Sequence, residues 1–278
     1  MLEEPVRLKS FAKVNLYLRV TGIVSNGYHT LYSIFQELDF HDILTFTPSS
    51  KFSISCNRSD LPCDDSNLCV KAYRIMKEFA PTNGEWSIHL EKNVPMGAGL
   101  GGGSSNAATV LKFLNKAWGI SLSEDELINI AKKISADAPF FIRGKTQIAG
   151  GIGEMLDPIR LPEQFNLLLI CPKIHISTSW AYRELDLTMK KENFKFRVLF
   201  DEKRVFWELF ENQFETVVFP AYPEVGRVKN ELIDSGAQYS GLSGSGSTVF
   251  GVFKNKEEAL KAQKRFNSFT TYITLPIF

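Results

Sequence analysis

From Val6 onward the chain alternates apolar and polar positions. Val6, Leu8, Ala12, Val14, Leu16, Leu18 and Val20 share one parity, and Arg7, Lys9, Lys13, Asn15 and Arg19 share the other. A period of two predicts a strand, with Lys13 and Asn15 neighbours on a solvated polar face. Ser25-Asn26-Gly27 then supplies a hairpin turn signal. Short strands are expected over 42–48 and 51–56, and Trp86, Ile88 and Leu90 alternate with polar residues to mark another. Between them Leu68, Ala72, Ile75, Met76 and Phe79 form one side of a helix opened by Asp65 or Ser66. After residue 105 the spacing becomes helical through Ala107, Ala108, Leu111, Leu114, Ala117 and Trp118, until Gly119 stops it. Ser123 and Glu126 form a capping box for a helix that buries Leu127, Ile130, Ala131 and Ile134.

Pro158 and Pro162 punctuate the chain and divide it into domains over 1–160 and 161–278. Beyond them the pattern predicts strands over 165–171, near Gln238, over 248–253 and over 270–275. Helices are expected over 178–185, 202–214, 224–235 and 256–266. Strands alternating with helices imply an α+β layer, with helices on one side of a mostly antiparallel sheet.

The densest chemistry lies in Pro95-Met96-Gly97-Ala98-Gly99-Leu100-Gly101-Gly102-Gly103-Ser104-Ser105, where five of eleven residues are glycine. A backbone that visits left-handed conformations or approaches a ligand closely tolerates that entropic cost. The loop joins a strand to a helix N-terminus, where free N–H groups and the macrodipole favour a phosphate; a plain glycine-rich turn is the simpler reading. Ser104 stands where a Walker A loop needs lysine. Gly97, Gly99 and Gly102 spell G-x-G-x-x-G, but no alternating βα pattern precedes them. Protein-kinase motifs are missing downstream. A second run, Ser243-Gly244-Ser245-Gly246-Ser247, reads either as hairpin glycines or as a flexible loop facing phosphates. Asp137, in Ser135-Ala136-Asp137-Ala138-Pro139, reads from spacing alone as a cap opening a helical turn.

Composition narrows the classes. With 32 Lys plus Arg against 31 Asp plus Glu, the net charge of +1 argues against nucleic acid as the main partner. Cys56, Cys63, Cys69 and Cys171 lack metal-ligand spacing and read as reduced thiols of a cytoplasmic protein. The acidic start is unlike a signal peptide, and the longest apolar run, 165–171, is too short for a bilayer. The expectation is a soluble monomer or weak homodimer with no membrane partner.

The run from Pro95 to Ala107 resembles the ATP loop of the GHMP family of small-molecule kinases. Ala12-Lys13-Val14-Asn15-Leu16, Gly27-Tyr28-His29-Thr30-Leu31, Ala136-Asp137-Ala138-Pro139-Phe140-Phe141 and Gly241-Leu242-Ser243-Gly244-Ser245-Gly246 are similar to further motifs of that family, so the likeness runs from end to end. The resemblance implies an N-terminal domain like domain 2 of ribosomal protein S5 and a ferredoxin-like C-terminal domain. It implies ATP with Mg2+ as cofactors, the metal's protein ligands being unassigned. The implied substrate is a small alcohol carrying cytidine diphosphate. Homoserine, mevalonate and sugar kinases, or a non-catalytic nucleotide or RNA binder, are the alternatives.

The resemblance also implies that Lys13 and Asp137 act together in catalysis, the carboxylate taking the hydroxyl proton and a lysine favouring its charged form. Pro95, Met96, Gly97, Ala98, Gly99, Leu100, Gly101, Gly102, Gly103, Ser104 and Ser105 would hold ATP. Asn15, Tyr28, His29, Thr178 and Tyr182 would bind substrate, with Tyr28 and Tyr182 sandwiching the cytosine and His29 bonding its polar edge. Ser177 and Ser179 depart from the family pattern, which places prolines beside the equivalent of Thr178 in some members.

Overall fold

Two long strands, β1 (Val6–Ile23, 18 residues) and β2 (His29–Ser49, 21 residues), pair with each other. The computed structural model describes residues 4–24, 27, 29–80, 84–185 and 198–278. The expected solvated face of β1 is not formed in its middle, where both faces are covered: Lys13 is 4% and Asn15 2% exposed. β2 begins 13 residues before the strand predicted from 42. Its first half hides polar residues, which erases the period-two signal: Gln36 and Glu37 are buried, and Gln36 accepts a bond from Thr146 Oγ1 (2.7 Å) and donates to the Ile277 carbonyl (2.9 Å).

The chain forms two compact units, each drawn from several segments. One comprises Met1–Ala12, Phe40–Met96 and Gly101–Gly144; the other comprises Lys13–Asp39, Gly97–Leu100 and Lys145–Phe278.

In the first unit β4 (Glu85–Glu91) pairs antiparallel with the second half of β2 and parallel with β3 (Ser53–Cys56). Helices α1 (Leu68–Phe79) and α2 (Gly102–Ala117) pack on one another. Phe46 stacks on Phe113 at 3.8 Å, and Trp86 meets the same ring edge-on at 4.9 Å. The cap of α1 is Asn67, not Asp65 or Ser66. The Asn67 side chain accepts the Cys69 N–H (2.9 Å), while Ser66 is engaged with Asp64. Phe79, expected in the core, is 49% exposed, and Val70 and Tyr73 are buried instead. The capping box of α3 (Glu124–Lys132) forms as expected, and α4 (Ala138–Arg143) follows.

In the second unit β5 (Thr146–Gly150) pairs with the first half of β2 and with β6 (Met155–Pro158); the sequence pattern marks neither strand. β7 (Asn166–Cys171), β8 (Tyr239–Leu242), β9 (Val249–Phe253) and β10 (Thr270–Thr274) form an antiparallel sheet in the order β10-β7-β9-β8. The helices here are α5 (Thr178–Glu184), α6 (Glu215–Ala221), α7 (Pro223–Asp234) and α8 (Lys256–Gln263). Strand order and connection give the βαββαβ pattern of a ferredoxin-like layer. Ala181, Val218, Leu232 and Ala259 pack with Leu168, Ile170 and Phe253 of the sheet in one apolar cluster.

The helix expected over 202–214 is replaced by a short 3₁₀ turn at Trp207–Leu209. Trp207, Phe210 and Phe214 are spaced like a helix face and all buried. The backbone bonds go elsewhere: Leu18 donates to the Glu211 carbonyl (2.9 Å) and accepts from the Gln213 N–H (2.8 Å).

All four cysteines are free, and burial pushes the Cys69 thiol up to about 12 and the Cys171 thiol to about 11. Among the described residues no helix is long and apolar enough to cross a membrane.

Candidate active site

β1 carries Lys13 and Asn15 into the second unit with fixed directions. The Lys13 ammonium donates to Asn15 Oδ1 (2.6 Å), Asn15 Nδ2 donates to Ser33 Oγ (2.9 Å), and Ser33 donates to the Tyr17 carbonyl (2.6 Å). This chain fixes which end of the amide faces the lysine. The Lys13 ammonium also lies 5.2 Å from the centre of the Phe35 ring. The Lys13 main-chain N–H donates to the Leu100 carbonyl (3.0 Å), which ties the strand to the glycine loop.

The same loop is clamped by the second glycine run. Ser243 Oγ donates to the Gly99 carbonyl (2.9 Å), and the Thr248 N–H donates to that of Ala98 (3.3 Å). Gly99 has φ +79°, and a Cβ there would stand 2.0 Å from the Ser243 carbonyl oxygen. The flexible loop offered as one reading of 243–247 is corrected: Ser243, Ser245 and Ser247 are buried. Asn212 Nδ2 donates to the carbonyls of Leu242 (2.6 Å) and Gly244 (2.8 Å), and Glu215 accepts the Leu242 N–H (2.9 Å). Glu215 is itself paired with Lys229 (2.5 Å), although burial still raises its carboxyl above the ordinary range.

Of the substrate residues implied by the resemblance, His29 and Tyr182 meet within this unit, and Thr178 meets the second glycine run. Thr178 and Ser245 share a hydroxyl hydrogen bond (2.8 Å). The His29 ring stacks on Tyr182 (centroids 4.5 Å, planes 26° apart), and Tyr182 rests edge-on against Phe214 (4.8 Å). Desolvation lowers the proton affinity of His29 below the ordinary histidine value. Tyr28 lies outside the described residues.

In the first unit, α2 opens at Gly101, an N-cap in the left-handed conformation whose helix has no side-chain cap. Its first N–H groups are therefore available to an anion. Ser135 Oγ donates to Ser104 Oγ (2.9 Å), pinning the chain two residues before Asp137 to the first turn of α2. Asp137 occupies the N-cap position of α4, but its carboxylate makes no capping hydrogen bond. The cap expected from spacing is thus present in position and not in bonding. Pro95 and Met96 lead into the loop, Met96 being 37% exposed.

Residues 67–145 match the family described as GHMP kinases N terminal domain, and residues 199–270 match GHMP kinases C terminal. The 4-diphosphocytidyl-2-C-methyl-D-erythritol kinase of Pelodictyon phaeoclathratiforme is 44% identical over 266 residues, covering 94% of this chain and 93% of that one. This chain belongs to that kinase family. The corresponding kinase of Chlorobium limicola is 43% identical and covers 99% of this chain and 98% of its own. A crystal structure of 4-(cytidine 5'-diphospho)-2C-methyl-D-erythritol kinase superposes with a TM-score of 0.86 at 29% identity, covering 98% of this chain and all of that one. Homoserine kinase from Cytophaga hutchinsonii shares the fold, with a TM-score of 0.71 at 16% identity over 100% of this chain and 96% of that one.

Sequence reasoning passed over Ser243, Asn212 and Glu215 as loop anchors, and Asp42, Lys92 and Asn106 around the stems of the glycine loop. Their partners lie far away in sequence, 144 residues for Ser243 and Gly99, so no local spacing betrays them.

Proposed function

We propose that this chain transfers the γ-phosphoryl group of ATP to the 2-hydroxyl of 4-diphosphocytidyl-2-C-methyl-D-erythritol, giving ADP and the 2-phosphate, a step in non-mevalonate isoprenoid precursor synthesis. The observation that carries the reading is identity of 40–44% to kinases of that name across 92–99% of the chain. Homoserine and mevalonate kinases, at 12–16% identity, share the fold alone.

In this reading Pro95 through Ser105 hold the phosphates against the N-terminus of α2. Asp137 accepts the hydroxyl proton as the new O–P bond forms and the bond from the γ-phosphorus to the bridging oxygen of ADP breaks. Lys13, directed by Asn15, offsets negative charge on the transferring group. Asn15, Tyr28, His29, Thr178 and Tyr182 hold the cytidine substrate. Among the described residues no group of three or more His, Cys, Asp or Glu could hold a metal ion. A magnesium ion accompanying the nucleotide would screen its phosphate charge, its protein ligands being unassigned. A boundary near residue 160, a cytoplasmic location and a monomer or weak homodimer complete the reading; the two family matches lie on either side of that boundary.

Base choice tests the substrate half. Cytosine and uracil stack alike, so discrimination comes from the polar edge, where a mismatched buried partner costs about 1–3 kcal/mol. His29→Ala is expected to lose most of the preference for the cytidine substrate over its uridine analogue, measured as kcat/KM for both. A parent-like ratio would withdraw the role. Tyr28→Leu should weaken both substrates together.

The pH dependence has a definite sign. Because burial disfavours proton uptake by His29, the neutral ring, with one donor and one acceptor, prevails at pH 7. The preference should fade only as pH falls below about 6.5. A preference that fades already above the ordinary histidine range in the parent would contradict this.

The activity itself is tested by a coupled ADP-release assay over a panel of alcohols. Turnover of homoserine, mevalonate or a sugar above that of the cytidine substrate would overturn the reading.

A further inference from the structure

A single carboxylate holds both stems of the glycine loop. Asp42, on β2, is completely buried. Its Oδ1 accepts the main-chain N–H groups of Asn93 (2.7 Å) and Val94 (2.8 Å), the two residues before Pro95. Its Oδ2 accepts Asn106 Nδ2 (2.9 Å), on the residue directly after Ser105, and the ammonium of Lys92. Asn106 Nδ2 also donates to Ser10 Oγ (2.9 Å), which donates to Ser105 Oγ (2.8 Å). Four donors fill the lone-pair sites of one carboxylate. Lys92 has a second constraint. Its ammonium stands 2.7 Å from where a Cβ on Gly102 would lie, so it fills the space beneath the first residue of α2.

Stability alone does not account for such a cluster, since an apolar pair of similar volume often serves a core as well as a buried ion pair. What apolar side chains cannot do is bind two backbone amides upstream of the loop and a helix side chain downstream of it with one rigid group.

We infer that Asp42 is a positioning residue for the nucleotide. It fixes the separation of the loop's stems and thereby the direction in which the N–H groups of α2 point, with Asn106 and Lys92 as its partners. The inference rests on the reading that this loop binds ATP.

The test measures binding of a non-hydrolysable ATP analogue by calorimetry, together with KM for both substrates, in the parent, Asn106→Leu, Asp42→Asn and the double variant Asp42→Leu/Lys92→Met. Asn106→Leu keeps the volume and the ion pair but cuts the downstream tie. The double variant removes the ties and both charges. Each folded variant is expected to bind the analogue about tenfold or more weakly, as the loss of a hydrogen bond to a charged group implies, and to raise KM for ATP in parallel. KM for the cytidine substrate should stay within about twofold. The double variant should recover melting temperature relative to Asp42→Asn without recovering ATP affinity, which a merely structural role would not produce.

If Asp42→Asn does not fold, Asn106→Leu decides. Parent-like ATP affinity in folded Asn106→Leu, or equal losses for both substrates, would overturn the inference. A parent that itself fails to bind the analogue would instead sink the nucleotide assignment of the loop.

Discussion

Asp137→Asn is expected to lower kcat by about 10²- to 10⁴-fold while leaving the affinities for ATP and alcohol close to those of the parent. The side chain lies at the N-cap position of α4 without capping it, so the amide should cost the helix little. Pro139, near the start of the helix, presets the backbone there whatever the side chain at 137. The Ser135 to Ser104 hydrogen bond, which ties this segment to the first turn of α2, does not involve the substituted group. What the amide cannot do is take the proton of the attacking hydroxyl. Rapid-quench measurement of the chemical step, with binding followed separately by calorimetry, checks both halves. Parent-like turnover would remove Asp137 from the chemistry, and a loss confined to KM would make it a binding group.

Much of this site could be read from the chain, and the reasons differ for what could not. The glycine loop was legible because strand period, glycine density and helical period follow one another directly between Trp86 and Trp118. The capping box at Ser123 was legible because both partners lie three residues apart. The first half of β2 was not, because Ser33, Gln36 and Glu37 are buried where the pattern calls for polar residues outside. The segment 202–214 misled for the opposite reason, its aromatic spacing imitating a helix while its backbone pairs with Leu18. Asp42 gave no signal at all, since Val94 and Asn106 stand 52 and 64 residues away.

Gly99→Ala should be the most damaging single methyl group in the loop. The new carbon would be placed 2.0 Å from the Ser243 carbonyl oxygen and 3.2 Å from that of Gly246, and both neighbours are backbone. A positive φ adds strain of order 1–3 kcal/mol. Relief requires the two glycine runs to separate, breaking the Ser243 to Gly99 and Thr248 to Ala98 hydrogen bonds. ATP affinity is expected to fall by about 100-fold or more, and the melting temperature by several degrees, on the order of 2–4 °C per kcal/mol. Gly103→Ala is the control. It lies within α2, and its Cβ would meet Leu68 Cδ1 at an ordinary 3.7 Å. There alanine should hold or raise the melting temperature, by up to about 1 kcal/mol of stability. Equal melting temperatures for Gly99→Ala and the parent would contradict the clamp between the loops.

The most direct measurement follows the phosphorus atom. The parent protein is incubated with ATP and 4-diphosphocytidyl-2-C-methyl-D-erythritol, and the products are resolved by ³¹P NMR. One new phosphomonoester on the oxygen of carbon 2, formed in equal amount with ADP and with the diphosphate of the substrate intact, is the predicted result. ATP consumed without that ester, or an ester on a different hydroxyl, would contradict it.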